Sequence, residues 1–219
     1  MVCVSLAEED LEDCLSVLED VDFAEIRLDR MRLSLDDVGT LFASHKQLIA
    51  TCRSGPFSDR DRKALLLTAI EAGAAYVDVE VESDPSYREE IVAKANSLGC
   101  KVIVSFHDHE RTPGAQELQE ILAQCFLAGA DVAKIACVAH SDRDNARLLG
   151  LLDREEKIVV VAMGKKGRLT RIVAPLLGSL FTFASLHAGK ETAEGQIDKT
   201  VLEALIGMLR GERPKGVCL

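Results

Sequence analysis

Lys134 stands in the run Ala130-Asp-Val-Ala-Lys134-Ile-Ala136, where every residue except Asp131 and the lysine is apolar and the β-branched members read as a buried strand. An ammonium in such a place costs on the order of several kcal/mol unless it is paired or sheds its proton. A lysine amine freed of its proton attacks carbonyl carbon and forms a Schiff base. The plainer reading is a strand-end lysine that reaches solvent or meets a neighbouring carboxylate. His107 follows the apolar run 101–106, and an imidazole there can move protons on and off the carbon beside an iminium. Arg27, Arg53 and Arg171 supply fork-shaped donors for a carboxylate or hydroxyls, and Ser5, Glu25 and Gln196 are further polar residues at the ends of apolar runs.

These side chains converge only if a particular set of elements carries them. Short β-branched runs at 2–6, 23–28, 47–52, 76–81, 101–106, 132–137, 157–162 and 180–185 alternate with amphipathic runs at 9–19, 35–44, 59–72, 85–98, 115–128, 142–153, 169–177 and 197–210. Ser58 or Asp59, Asp84-Pro85, and Ser141 or Asp142 are helix starts, and Gly73, Gly99 and Gly129 fall where helices end. Eight strand-helix repeats predict a parallel sheet closed into a (β/α)8 TIM barrel, with residues 1–219 forming a single domain. No GxGxxG follows the first strands, which speaks against an open dinucleotide-binding sheet.

In a barrel the active site forms at the C-terminal strand ends. That rim collects Ser5, Glu25, Arg27, Asp29, Arg53, Asp78, Glu80, His107, Asp108, Lys134, Met163, Arg171 and Gln196. Glu25 and Arg27, two apart on one strand face, fit a structural ion pair as well as ligand contact. His109 reads as solvated. Lys165, Lys166, Arg168 and Arg171 fit either a solvated loop around Gly164-Lys-Lys-Gly167 or an anion site at a helix start.

Composition narrows the partners. A net charge of −10, from 36 acidic and 26 basic residues, argues against nucleic acid or an anionic membrane as a partner. Seven cysteines with no CxxC pair read as reduced buried thiols, and no charged leader or long apolar run is visible, so the expected location is the cytoplasm. The five histidines show no HxxxH spacing, so no metal is expected.

The segments Val4-Ser5-Leu6, Glu25-Ile-Arg27-Leu-Asp29, Thr51-Cys-Arg53-Ser54, Asp78-Val-Glu80, Ser105-Phe-His107-Asp108 with Thr112-Pro113, Ala133-Lys134-Ile-Ala136, Met163-Gly164 with Arg171, Gly178-Ser179 with Thr182-Phe183, and Gly195-Gln196-Ile197 occur in order along nearly the whole chain. Together they resemble type I 3-dehydroquinate dehydratase. The resemblance implies loss of water from 3-dehydroquinate to give 3-dehydroshikimate, with Lys134 as the Schiff-base lysine and His107 as the general acid/base. It further implies that Arg171 holds the substrate carboxylate, that Ser5, Glu25, Arg27, Arg53, Thr192 and Gln196 line the substrate pocket, that no metal or organic cofactor takes part, and that the enzyme is a homodimer. Residues 187–196 then read as a lid. Two departures stand out. Phe57 occupies the position of a family glutamate that orients the histidine, leaving Asp59, Asp78 or Glu80 as substitutes, and Thr192 replaces a common serine while keeping its hydroxyl. Two rivals remain at this level: a Schiff-base aldolase, which needs a phosphate site near strands seven and eight, and a non-catalytic barrel that binds a small acid.

Overall fold

The computed structural model describes residues 1–45, 47–55 and 57–212. Within them the chain runs β1 (Val2–Leu6), α1 (Leu11–Leu18), β2 (Ala24–Arg27), α2 (Leu35–Ser44), β3 (Leu48–Thr51), α3 (Asp59–Glu71), β4 (Tyr76–Glu80), α4 (Pro85–Leu98), β5 (Lys101–Asp108), α5 (Ala115–Leu127), β6 (Val132–Val138), α6 (Asp142–Leu149), β7 (Ile158–Met163), α7 (Gly164–Val173), β8 (Thr182–Ser185) and α8 (Lys199–Leu209). Among the described residues the paired strands all run parallel, in the order β7-β6-β5-β4-β3-β2-β1-β8. The seam between β7 and β8 is narrow. Leu180 N donates to Ile158 O at 2.9 Å, and the Ser179 hydroxyl accepts from Val160 N at 3.3 Å while donating to Phe181 O at 3.0 Å. The result is the expected (β/α)8 TIM barrel.

The helix starts are fixed by the residues read from sequence. Ser58 accepts from Asp61 N, Asp84 accepts from Ser86 N and Tyr87 N ahead of Pro85, and Asp144 accepts from Ser141 N at 2.8 Å and from the Ser141 hydroxyl at 3.0 Å. Strand alternation then sorts the side chains. One set, including Val4, Ile26, Ala50, Val77, Val104, Ile135 and Val160, packs outward against the helices. The other points into the barrel, where Phe23, Ile49, Ile103, Val132, Val159 and Phe181 make an apolar floor. Phe181 meets Phe23 edge-on at 5.1 Å and Phe183 at 5.5 Å between ring centroids. Each such fully buried side chain contributes roughly 1.5–3 kcal/mol relative to exposure. Above this floor the inward positions turn polar.

Two boundaries differ from expectation in ways that matter for the site. β5 continues through His107 and Asp108, because its ladder with β6 extends to the pairs His107↔Ala136 and Asp108↔Cys137. His107 therefore sits on a strand and not in the following loop. The residues 164–167 are the first turn of α7 and not a loop. Their glycines serve packing: a Cβ at Gly167 would collide with the Ala162 carbonyl, so only glycine lets α7 start so close to β7. The run 142–153 divides into α6 and a 3-10 turn at Gly150–Leu152. Cys218 lies outside the described residues; the six described cysteines are free and buried. No helix among the described residues is long and apolar enough to cross a membrane.

Candidate active site

The inward polar layer forms a closed charge cluster. Register places Ser5 beside Glu25, Thr51 beside Asp78, and Ser105 beside Lys134. Lys134 is 5% exposed; its Nζ donates to Asp78 Oδ2 at 2.9 Å and to Glu25 Oε1 at 3.4 Å, and lies 4.3 Å from the centre of the Phe183 ring. Glu25 also accepts from the hydroxyls of Ser5 at 2.7 Å and Thr51 at 3.0 Å. Asp78 takes a two-pronged contact from Arg53, at 2.8 and 2.7 Å, and the Ser105 hydroxyl at 2.6 Å. Two cations face two anions, and each carboxylate has further hydrogen bonds, which is what burial of such charges requires. Burial alone pushes the Asp78 carboxyl up, but the Arg53 and Lys134 cations and the Arg53 hydrogen bonds outweigh it and hold the group well below the usual carboxylate range.

Around this cluster opens a cavity of about 1520 Å³. Its lining brings together Ser5, Glu25, Arg27, Arg53, His107, Lys134, Arg171, Thr192 and Gln196, the nine residues expected to act on or hold the substrate, whereas Asp78 and Asp108 of the expected rim and Lys166 of the basic cluster are not part of it. Desolvation lowers the His107 pKa well below its ordinary value, Arg53 and Lys134 push the same way, and Asp78 opposes them; the ring is accordingly neutral at physiological pH. Among the described residues its Nδ1 is buried without a hydrogen-bond partner.

Arg171 enters from α7 and is 1% exposed. Nη1 donates to Phe183 O at 3.2 Å and Nη2 to Glu194 O at 3.5 Å, while Nε has no partner, and among the described residues no carboxylate pairs with it. Desolvation, reinforced by nearby Arg168, lowers its pKa to about 10. A buried guanidinium left in this condition calls for an anion. Lys165 and Arg168 line the same cavity, so this side of the site is basic in spite of the acidic surface.

The segment after β8 covers that side. Gln196 Oε1 accepts from Thr192 N at 2.7 Å and Ala193 N at 3.3 Å, and its Nε2 donates to Thr192 Oγ1 at 3.1 Å. Gly195 has φ +82° and lies so close to Gly164 that a Cβ would collide with the Gly164 carbonyl; Gly164 N donates to Glu194 O at 3.2 Å. Lys190 reaches across to Glu8 at 2.7 Å, tying the segment to the β1-α1 connection.

The type I 3-dehydroquinase family model matches residues 2–212. The chain belongs to the type I 3-dehydroquinase family. The 3-dehydroquinate dehydratase of Methanococcus maripaludis (strain C6) is 32% identical over 221 residues, covering 95% of this chain and 100% of the relative. That of Methanocaldococcus jannaschii is 32% identical over 217 residues, covering 94% and 97%. The solved 3-dehydroquinate dehydratase from Aquifex aeolicus VF5 superposes with a TM-score of 0.81 at 26% identity over 95% of this chain and 98% of that one. The type I enzyme from Clostridium difficile superposes at 0.85 with 24% identity over 96% and 92%, which bears on the fold.

Within this family member several sequence readings change. Arg27 does not pair with Glu25; it makes a two-pronged contact with Asp29, at 2.9 and 2.7 Å, leaving Nη1 free. Phe57 packs against the outer hydrophobic layer. None of the three carboxylates considered as partners for His107 bonds to it. Asp59 and Glu80 contact Arg62, at 2.8 and 3.1 Å, and Asp78 is taken by Arg53, Ser105 and Lys134. Asp78 was expected on the rim but without its partners, whereas Thr51, Ser105 and Phe183 were missed as site residues. Strand parity could have found two of them, since Thr51 and Arg53, and Ser105 and His107, are each two apart.

Proposed function

We propose that this chain converts 3-dehydroquinate to 3-dehydroshikimate and water, a hydro-lyase step of the shikimate pathway, through a Schiff base on Lys134. The observation that carries the reading is a lysine buried at the cavity floor between Asp78 and Glu25, sharing that cavity with a neutral His107 and with an Arg171 that lacks a carboxylate. The substrate carboxylate docks on Arg171 and replaces the missing anion. Ser5, Glu25, Arg27, Arg53, Thr192 and Gln196 shape the rest of the pocket.

Lys134 Nζ, once deprotonated, adds to the ketone carbon, and loss of water gives the iminium. His107 removes a proton from the adjacent carbon, and the electron pair moves onto the iminium nitrogen. The enamine so formed expels the neighbouring hydroxyl, which leaves as water after protonation by the His107 imidazolium. Hydrolysis of the conjugated iminium frees the product and restores the amine. Residues 1–219 act as one catalytic domain; the cytoplasm suits the six buried free thiols, and the resemblance supports a homodimer, which sedimentation velocity reads directly.

The product is a conjugated enone, so its ultraviolet absorbance reports turnover. Purified protein given 3-dehydroquinate is expected to produce that signal, Lys134→Met to abolish it, and His107→Ala to remove most of it. Undiminished turnover by Lys134→Met overturns the reading.

A further inference from the structure

His109 is the feature of this site that the proposed chemistry leaves unused. It lines the same cavity as His107, and its ring lies parallel to the His107 ring, 13° between planes and 6.2 Å between centroids. His107 is the penultimate residue of β5, which ends at Asp108, and His109 is the first residue beyond it. His107 is half-buried and His109 is exposed, so the pair runs from the cavity interior to solvent.

The surroundings of His107 give this pairing its meaning. Arg53 approaches from just beyond β3, Asp78 from β4 and Lys134 from β6, and Asp78 spends its oxygens on Arg53, Ser105 and Lys134. Nδ1 of His107 has no partner in this shell. A ring serving as acid and base needs a fixed orientation, which a carboxylate or carbonyl on its second nitrogen ordinarily supplies. Among the described residues, the parallel His109 ring is the aromatic neighbour of that imidazole.

We infer that His109 is a positioning residue for His107, its parallel ring holding the orientation of the His107 ring. The inference rests on the reading of His107 as general base. A base whose ring is held in place moves the substrate proton faster without binding the substrate more tightly, so the effect falls on kcat and not on KM.

The test compares His109→Ala with His109→Phe, measuring kcat and KM at about pH 8. Loss of the parallel ring in His109→Ala is expected to lower kcat by roughly threefold to tenfold with KM within about twofold. His109→Phe keeps a flat ring and is expected to recover kcat to within about twofold of the wild type. A His109→Ala enzyme matching the wild type in kcat overturns the inference, as does one whose loss falls on KM or a His109→Phe enzyme that fails to recover. Wild-type turnover with indifferent position-109 variants removes only this inference, whereas a wild-type protein without turnover removes the functional reading and this one with it.

Discussion

Replacing Asp78 with asparagine tests the charge cluster most severely, because the substitution preserves shape and removes one charge. In the wild type Arg53 and Lys134 face Glu25 and Asp78; with asparagine the same two cations face Glu25 alone, and the buried site carries one net positive charge. Asp78 is 1% exposed and its side chain accepts from Arg53, Ser105 and Lys134, so water cannot take over its role. Breaking a buried pair on one side costs about 3–5 kcal/mol. At about 2–4 °C per kcal/mol for a chain of this size, Tm falls by roughly 6–20 °C. Asp78 is held well below the usual carboxylate range, so its contribution is present above the unfolded carboxyl pKa of about 3.9 and is lost only as pH falls through the lower folded value; the deficit should therefore be constant between about pH 5 and 8. Urea unfolding followed by circular dichroism, on Asp78→Asn, Lys134→Met and the double variant, measures both the cost and the coupling. Removing Lys134 takes away one of the stranded cations, so the double variant should recover about 1–3 kcal/mol relative to the sum of the singles. A loss below about 1 kcal/mol for Asp78→Asn, or strictly additive costs, refutes the cluster as described.

Two further outcomes follow from the same geometry. Arg171→Met removes a buried guanidinium that has only backbone carbonyls as partners, so the free protein should be as stable as the wild type or more so, while KM for 3-dehydroquinate rises by roughly 30- to 100-fold; thermal melts and steady-state kinetics read the two effects separately. His107 has a folded pKa below its ordinary value of about 6.5, so stability is full above that pH and declines as pH falls toward the folded value, by at most about 1.4 kcal/mol per unit, and His107→Phe should flatten that slope in urea midpoints measured at about pH 7.5 and about pH 5.

Much of this arrangement was legible in the residue pattern, and the limits have physical causes. Period-two and period-3.6 hydrophobicity located all eight βα units, and the position of Lys134 inside an apolar run singled it out before any partner was visible. The first turn of α7 was misread because Gly164 and Gly167 look like loop residues; their purpose, close approach to Ala162 and to Gly195, exists only in three dimensions. The extent of β5 was underestimated because polar His107 and Asp108 do not look like strand, yet the ladder with β6 carries them. Partner choice was the hardest to read. Arg27 has Glu25 and Asp29 at the same spacing on either side, and only the strand's end, where the chain turns after Arg27, selects Asp29. The pairing of Asp78 with Arg53 joins β4 to the segment just beyond β3, and nothing local in the sequence announces it.

The central claim is that Lys134 forms a covalent bond to the substrate. Incubating the protein with 3-dehydroquinate and sodium borohydride, then mapping the digest by mass spectrometry, reads this directly, since hydride traps an iminium as a stable secondary amine. The account predicts a reduced adduct on the peptide carrying Lys134 and loss of activity in step with its formation. Turnover that continues without an adduct, or an adduct confined to another lysine such as Lys165, contradicts it.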